Sequence, residues 1–74
     1  MTPDIAGGFI IALGGLAPAV AIGLIGARAM EAISRNPEAS NRILPAMILS
    51  IAFAEAIAIY SLLLSLMVVF DVGA

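Results

Sequence analysis

The chain has no cysteine, no histidine and no tryptophan, and a single tyrosine. Without cysteine there is no disulfide framework and no thiolate nucleophile. Without histidine as well, the common zinc sites and the usual general base are missing. Charge is equally scarce. Only 11% of residues are charged, and three arginines stand against five acids, which excludes the basic face that nucleic-acid binding needs. No nucleophile–base pair, metal cluster or phosphate-cradling loop is legible, so the chain is read as having no catalysis of its own and no cofactor.

What is abundant is apolar. Of 74 residues, 64% are hydrophobic, and the mean hydropathy is +1.22. A soluble domain this small builds one modest core and has too few polar residues here to cover it. Two long apolar stretches flank one polar segment. The first covers residues 5–27 without a charge; the second covers residues 43–70 and holds one, Glu55. Each exceeds the ~20 residues that cross a bilayer. In lipid a single segment satisfies its backbone only as a helix.

The polar segment from Arg35 to Arg42 holds turn formers and no apolar run. Pro37 disfavours helical geometry at Asn36. Ser40 and Asn41 are candidate caps for the second helix, and Pro45 is tolerable near a helix start. The expected fold is therefore all-α: one antiparallel transmembrane hairpin over residues 1–74. Helix 1 is expected over about 5–34, the loop over about 35–41 and helix 2 over about 42–71. Arg28 and Glu31, three apart, are expected to pair weakly, and Pro18 is expected to bend helix 1.

A cleavable signal sequence is the alternative for the first stretch, because Ala17-Pro18-Ala19 offers small residues. The N-terminal region argues against it, since it carries Asp4 and no basic residue. All three arginines, Arg28, Arg35 and Arg42, lie around the loop. The positive-inside rule then puts the loop in the cytoplasm and both termini outside.

Small residues recur at steps of three or four. Helix 1 has Gly8, Ala12, Gly15, Ala19, Gly23 and Ala27; helix 2 has Ala46, Ser50, Ala54, Ala58, Ser61 and Ser65. In lipid, close approach through small side chains replaces the hydrophobic drive. Such rows can zip a lone hairpin. The run Ala17, Ala19, Ala21, Gly23, at a spacing of two, spreads small residues around more of the helix than one partner occupies, and it predicts several helical neighbours. Ser61 and Ser65 are expected to bond back to carbonyls of their own helix.

Glu55 lies at least 12 residues from either end of its segment, ~18 Å along a helix. A carboxylate at that depth costs on the order of 2.5–3.5 kcal/mol. Arg42 is 13 positions away, ~20 Å, and cannot neutralise it. Glu55 must therefore hold a proton, or meet a cation from another chain. A group that is neutral facing lipid and charged facing a partner is a proton carrier. The plainer reading is a permanently neutral acid gluing helices together, for which an uncharged Ser, Thr, Asn or Gln would suffice. Tyr60 can hydrogen-bond nearby or serve as an apolar body with a polar tip.

Over nearly its whole length the chain resembles the c subunit of F-type ATP synthases. The residues that carry the likeness are the loop Ala32-Ile33-Ser34-Arg35-Asn36-Pro37-Glu38, the segment from Ala52 to Tyr60 around Glu55, the small-residue run on helix 1, and Glu31-Ala32-Ile33 leading into the loop. The resemblance implies a homo-oligomeric ring in the membrane, with Glu55 as the proton-binding residue and Pro18, Ile22, Phe53, Ala56 and Tyr60 lining its site. It implies helix packing through Ala17, Ala19, Ala21 and Gly23, and contact of Arg35, Asn36 and Pro37 with the gamma and epsilon subunits of the central stalk. It also implies an a subunit whose arginine faces Glu55, and membrane lipids around the ring.

Two departures stand out: alanines replace most of the family's helix-1 glycines, and Asn36 stands where glutamine is usual. Sodium-type members place a glutamine on helix 1 and a hydroxyl after the carboxylate. Ile22 and Ala56 hold those positions here, so the expected ion is the proton. A bacterial plasma membrane is the expected location, with an organelle's energy-transducing membrane as the alternative. The rival function is a pore-forming or holin-like hairpin without rotary coupling.

Overall fold

The computed structural model describes residues 1–71; residues 72–74, the end of the expected hairpin, lie outside the described residues. Two long helices account for nearly all of it. α1 spans Pro3–Arg35 and α2 spans Ser40–Val69, joined by a 3-10 turn, Pro37–Ala39. The Cα trace measures 53 × 18 × 9 Å, two helices side by side and one helix thick. The long dimension exceeds the ~30 Å hydrocarbon core of a bilayer.

The start of α1 is set by a cap that the apolar pattern does not reveal. The Thr2 hydroxyl accepts the Ile5 N–H at 3.2 Å, and Pro3 occupies the first helical position, where its missing N–H costs nothing. Asp4 in the first turn and Arg35 in the last both complement the helix dipole. α1 runs unbroken through Pro18, which is buried. Asn36, at φ −144° and ψ 78°, ends it.

The expected seven-residue loop is thus shorter. Arg35 belongs to α1, and Ser40 and Asn41 are helical residues of α2, not caps; the cap position is Ala39, with no side-chain hydrogen bond. The reason is Pro37, which opens a 3-10 turn at once instead of prolonging a loop. α2 ends at Val69, two residues before the expected end, and Asp71 turns into the left-handed region at φ 56°.

The seam between the helices is narrow. Its buried residues are Gly7, Pro18 and Ala29 on α1 and Ala54 and Ser65 on α2. Added side chains would not fit at two of the glycines. A Cβ at Gly7 would overlap a Val69 methyl and stand 3.1 Å from the Ser65 carbonyl oxygen. A Cβ at Gly14 would overlap the Ser61 hydroxyl and stand 2.6 Å from Ser61 Cβ. Ser65 Oγ donates to the Gly7 carbonyl oxygen at 2.6 Å, across the seam. The expectation that Ser65 bonds back to its own helix is therefore corrected; Ser50 does so instead, to Ala46 O at 2.8 Å. The close backbone approach at Gly7 puts a foreign carbonyl nearer than the local one.

The helix-1 row expected to pack is also reassigned. A Cβ at Gly8, Gly15 or Gly23 would meet nothing within 4 Å; that row lies on a flank of the hairpin, about 100° round α1 from the seam. The ion pair expected between Arg28 and Glu31 is formed by Arg35 and Glu31, at 2.7 Å and four apart, the geometry that matches one helical turn more closely.

Large apolar side chains cover the outside. Leu13, Ile48, Phe53, Ile59 and Tyr60 are each more than half exposed. The 18-residue windows of the two helices reach mean hydropathies of 2.2 and 2.1, with only 6% of each buried. A soluble protein does not leave apolar surface of this extent in water.

Candidate functional site

Glu55 stands on α2, 15 residues from Ser40 and 14 from Val69, so each helix end is ~21–22 Å away. Its side chain is exposed on the hairpin surface. Among the described residues it makes no hydrogen bond and no ion pair; the single ion pair is Arg35–Glu31 at the loop end. The hairpin thus supplies neither a counter-charge nor a donor at mid-span.

The antiparallel register fixes what lies level with it. Gly14 meets Ser61 and Gly7 meets Ser65 and Val69. Continuing that register at one residue per residue sets Glu55 level with Val20. Pro18 and Ile22 therefore bracket its level on α1, Pro18 buried in the seam and Ile22 half-buried.

Helical rotation of ~100° per residue fixes the flank. A groove on one side of the hairpin is lined by Leu24 and Arg28 of α1 and by Arg42 and Ala46 of α2, so these share a flank. Glu55 is nine residues from Ala46, about half a turn round, and Ala19 is nine from Arg28, likewise. Glu55 and Ala19 therefore share the opposite flank. Gly15 and Gly23, open to 4 Å, lie beside Ala19 and leave a shallow notch next to the carboxyl.

The expected lining residues do not all converge in one hairpin. Tyr60 lies about 140° round α2 from Glu55 and Phe53 about 160°. Both are exposed, at 66% and 67%, on the Arg42 side. Ala56 is half-buried. The run Ala17, Ala19, Ala21, Gly23 divides between the flanks, Ala17 and Ala21 on one and Ala19 and Gly23 on the other. Arg35, Asn36 and Pro37 are exposed at the tip of the hairpin. Sequence reasoning missed Gly7 and Gly14 as seam residues; their seven-residue spacing, two helical turns on one face, was the available signal.

The fold and the site define a class: a small integral membrane hairpin that holds one unpaired carboxyl at mid-bilayer on an outward flank. Comparison with known proteins gives the family. Residues 5–68 match the family of ATP synthase C subunits. The chain is 44% identical over 66 residues to an ATP synthase c subunit of Dehalococcoides mccartyi, covering 89% of this chain and 87% of that one. It is 44% identical over 62 residues to an ATP synthase c subunit of Chloroflexus aurantiacus, covering 84% and 82%. A chloroplastic ATP synthase c subunit of Euglena gracilis is 38% identical over 66 residues, covering 89% and 82%.

The chain belongs to the ATP synthase c-subunit family. It is an integral membrane component of the ATP synthase complex and one of the subunits of its rotor ring. The pore-forming alternative is not favoured.

Proposed function

We propose that this protein carries protons across the membrane by reversible protonation of Glu55, and that the stepping of Glu55 past a stator drives ring rotation and ATP synthesis. The observation that carries the reading is the position of Glu55: mid-span, on an outward flank, with no partner in its own chain among the described residues. Facing lipid, the carboxyl is tolerated only in its neutral form. Facing an arginine of the a subunit, the carboxylate is favoured. Alternation between those surroundings loads and unloads one proton, and the membrane potential biases the direction by ~2.3 kcal/mol per charge per 100 mV.

The flank geometry supports a site completed between copies. One hairpin keeps Tyr60 and Phe53 on the side away from Glu55. A second copy laid against the Glu55 flank brings its own Tyr60 and Phe53 flank to the notch at Gly15, Ala19 and Gly23. The contact joins unlike faces, and repeating it makes a ring when the rotation between copies closes.

The transported ion is the proton. Sodium needs several oxygen ligands, and Ile22 and Ala56 supply no side-chain oxygen. The three arginines put the loop on the cytoplasmic side, both termini outside, in a bacterial plasma membrane. There the exposed tip at Arg35, Asn36 and Pro37 holds the gamma and epsilon subunits of the central stalk.

Glu55→Gln keeps shape and removes titration. In vesicles holding the whole complex, ring assembly is expected to persist while ATP-driven proton uptake stops. Uptake that continued in an assembled Glu55→Gln ring would overturn the mechanism. Protection of Glu55 from carbodiimide by sodium would overturn the ion assignment.

A further inference from the structure

At the loop end the seam changes character. Glycine and serine give way to Ile25, Ile43 and Met47, and a groove of about 790 Å³ opens between the helices on the flank opposite Glu55. Leu24 and Arg28 of α1 and Arg42 and Ala46 of α2 also line it. The groove continues the flank of Phe53 and Tyr60, the face that meets a neighbouring hairpin in the ring contact. Its volume is in the range that holds a whole small molecule, so one side chain does not fill it.

The opposite flank carries a row of side chains at the same depth. Ile48 is seven residues from Glu55 and Leu44 eleven, so both share its flank within ~20°. Met30 is eleven residues from Ala19 and shares that flank on α1. The register that pairs Gly14 with Ser61 sets Ile48 level with Ala27 and Leu44 level with Glu31, within the reach of the groove. All three are large, apolar and exposed: Ile48 at 62%, Met30 at 49% and Leu44 at 38%. Copies related by an axis along the membrane normal keep one depth, so the row of one hairpin arrives at the groove of the next.

We propose that this groove is the socket for a second copy of the chain. Ile48 of one hairpin, flanked by Leu44 and Met30, seats between α1 and α2 of its neighbour. In lipid such packing of complementary shapes is what holds helices together. Arg28 and Arg42 do not oppose it. The incoming row is uncharged, and an arginine stem lies along apolar surface while its head reaches water at the loop end. The same arginines exclude the reverse pairing. Hairpins meeting groove to groove would set their arginines against each other, and neither Arg28 nor Arg42 has an ion-pair partner among the described residues to offset this. Hairpins meeting row to row would leave both grooves unfilled. The head-to-tail contact remains, and it gives every copy the same sense around the ring.

The inference rests on the flank contact between copies proposed above and is tested in membranes holding the whole complex. The chain has no cysteine, so introduced pairs report neighbours. Ile48→Cys/Ala46→Cys and Ile48→Cys/Leu24→Cys each place two thiols on opposite flanks of one hairpin, so a disulfide joins two copies. Copper-phenanthroline oxidation is expected to give a ladder of linked copies from at least one of them. Leu49→Cys/Leu24→Cys, with position 49 turned ~100° from position 48, is expected to give none. Gly15→Cys/Tyr60→Cys reports the mid-span contact by itself. A ladder from that pair with none from either Ile48 pair overturns the socket alone; no ladder from any pair overturns the flank contact too. On the purified ring, Ile48→Ala is expected to lower the SDS concentration that dissociates half of the rings. Leu49→Ala, comparably exposed at 60%, is expected to leave it unchanged. Equal effects of the two variants overturn the proposal.

Discussion

Gly14→Ala is the sharpest test of the seam. A methyl at Gly14 would overlap the Ser61 hydroxyl and stand 2.6 Å from Ser61 Cβ. Ordinary carbon contacts lie at ~3.5–4.0 Å, so the helices must part locally by roughly 1 Å. Overpacking of this size costs about 1–3 kcal/mol. Alanine's better helix propensity offsets about 1 kcal/mol of it, so the single variant understates the clash. A double-mutant cycle with Ser61→Gly isolates it, because removing the serine side chain removes the obstacle. Gly14→Ala is expected to destabilise when Ser61 is present and to be neutral or stabilising when it is Gly. The coupling is expected at about 1–3 kcal/mol. The assay is SDS titration of the hairpin, followed by pyrene excimer emission between labels at Thr2→Cys and Phe70→Cys, which lie at the same end of the molecule. A coupling below about 0.5 kcal/mol would refute the close approach of Gly14 to Ser61.

Ser65→Ala deletes the donor to the Gly7 carbonyl oxygen, and the same titration is expected to show a loss of about 0.6 kcal/mol, at most about 1.7; no loss would mean that the bond does not stabilise the hairpin. Gly15→Ala adds a methyl that meets nothing in the hairpin. The hairpin titration should not weaken, while survival of the ring in mild detergent on a native gel should fall; an equally robust ring would show that this flank does not pack between copies.

The hairpin itself is legible in the sequence because lipid admits few alternatives: two apolar runs of spanning length around a turn-rich segment leave only paired helices. The ends are less legible. Thr2 and Pro3 start α1 earlier than its hydropathy does, and Pro37 shortens the loop by opening a 3-10 turn. The seam was misplaced on α1 because two rows of small residues run one residue apart. Gly7 and Gly14 differ from Gly8 and Gly15 by only ~100° of rotation. Composition does not separate them; the tertiary partners Ser61, Ser65 and Val69 do. On α2 the row through Ala46, Ser50 and Ala54 steps by four and drifts ~40° each time. Ala54 is buried while Ala46 and Ser50 are exposed. The depth of Glu55 follows from counting along the chain. Its flank does not, because that needs the seam as a reference.

That flank decides whether the carboxyl can work. Ala54 and Glu55 are neighbours in depth, yet Ala54 is 8% exposed in the seam and Glu55 is exposed outside it. A residue in the seam faces the same helix whatever the hairpin does, because Gly7, Gly14, Ser61 and Ser65 hold the two helices together as one body. Its surroundings never alternate, and a proton bound there has no reason to leave. In the proposed mechanism a residue on the flank meets lipid, a neighbouring copy or a stator as the whole hairpin moves. Exchanging the two side chains, Ala54→Glu with Glu55→Ala, preserves composition and shifts depth by only ~1.5 Å. It should nevertheless abolish proton uptake by the complex. The single change Glu55→Asp, which shortens the side chain but keeps the flank, should retain part of it. Transport by the exchanged variant comparable with that of Glu55→Asp would show that depth alone matters and that orientation about the helix does not.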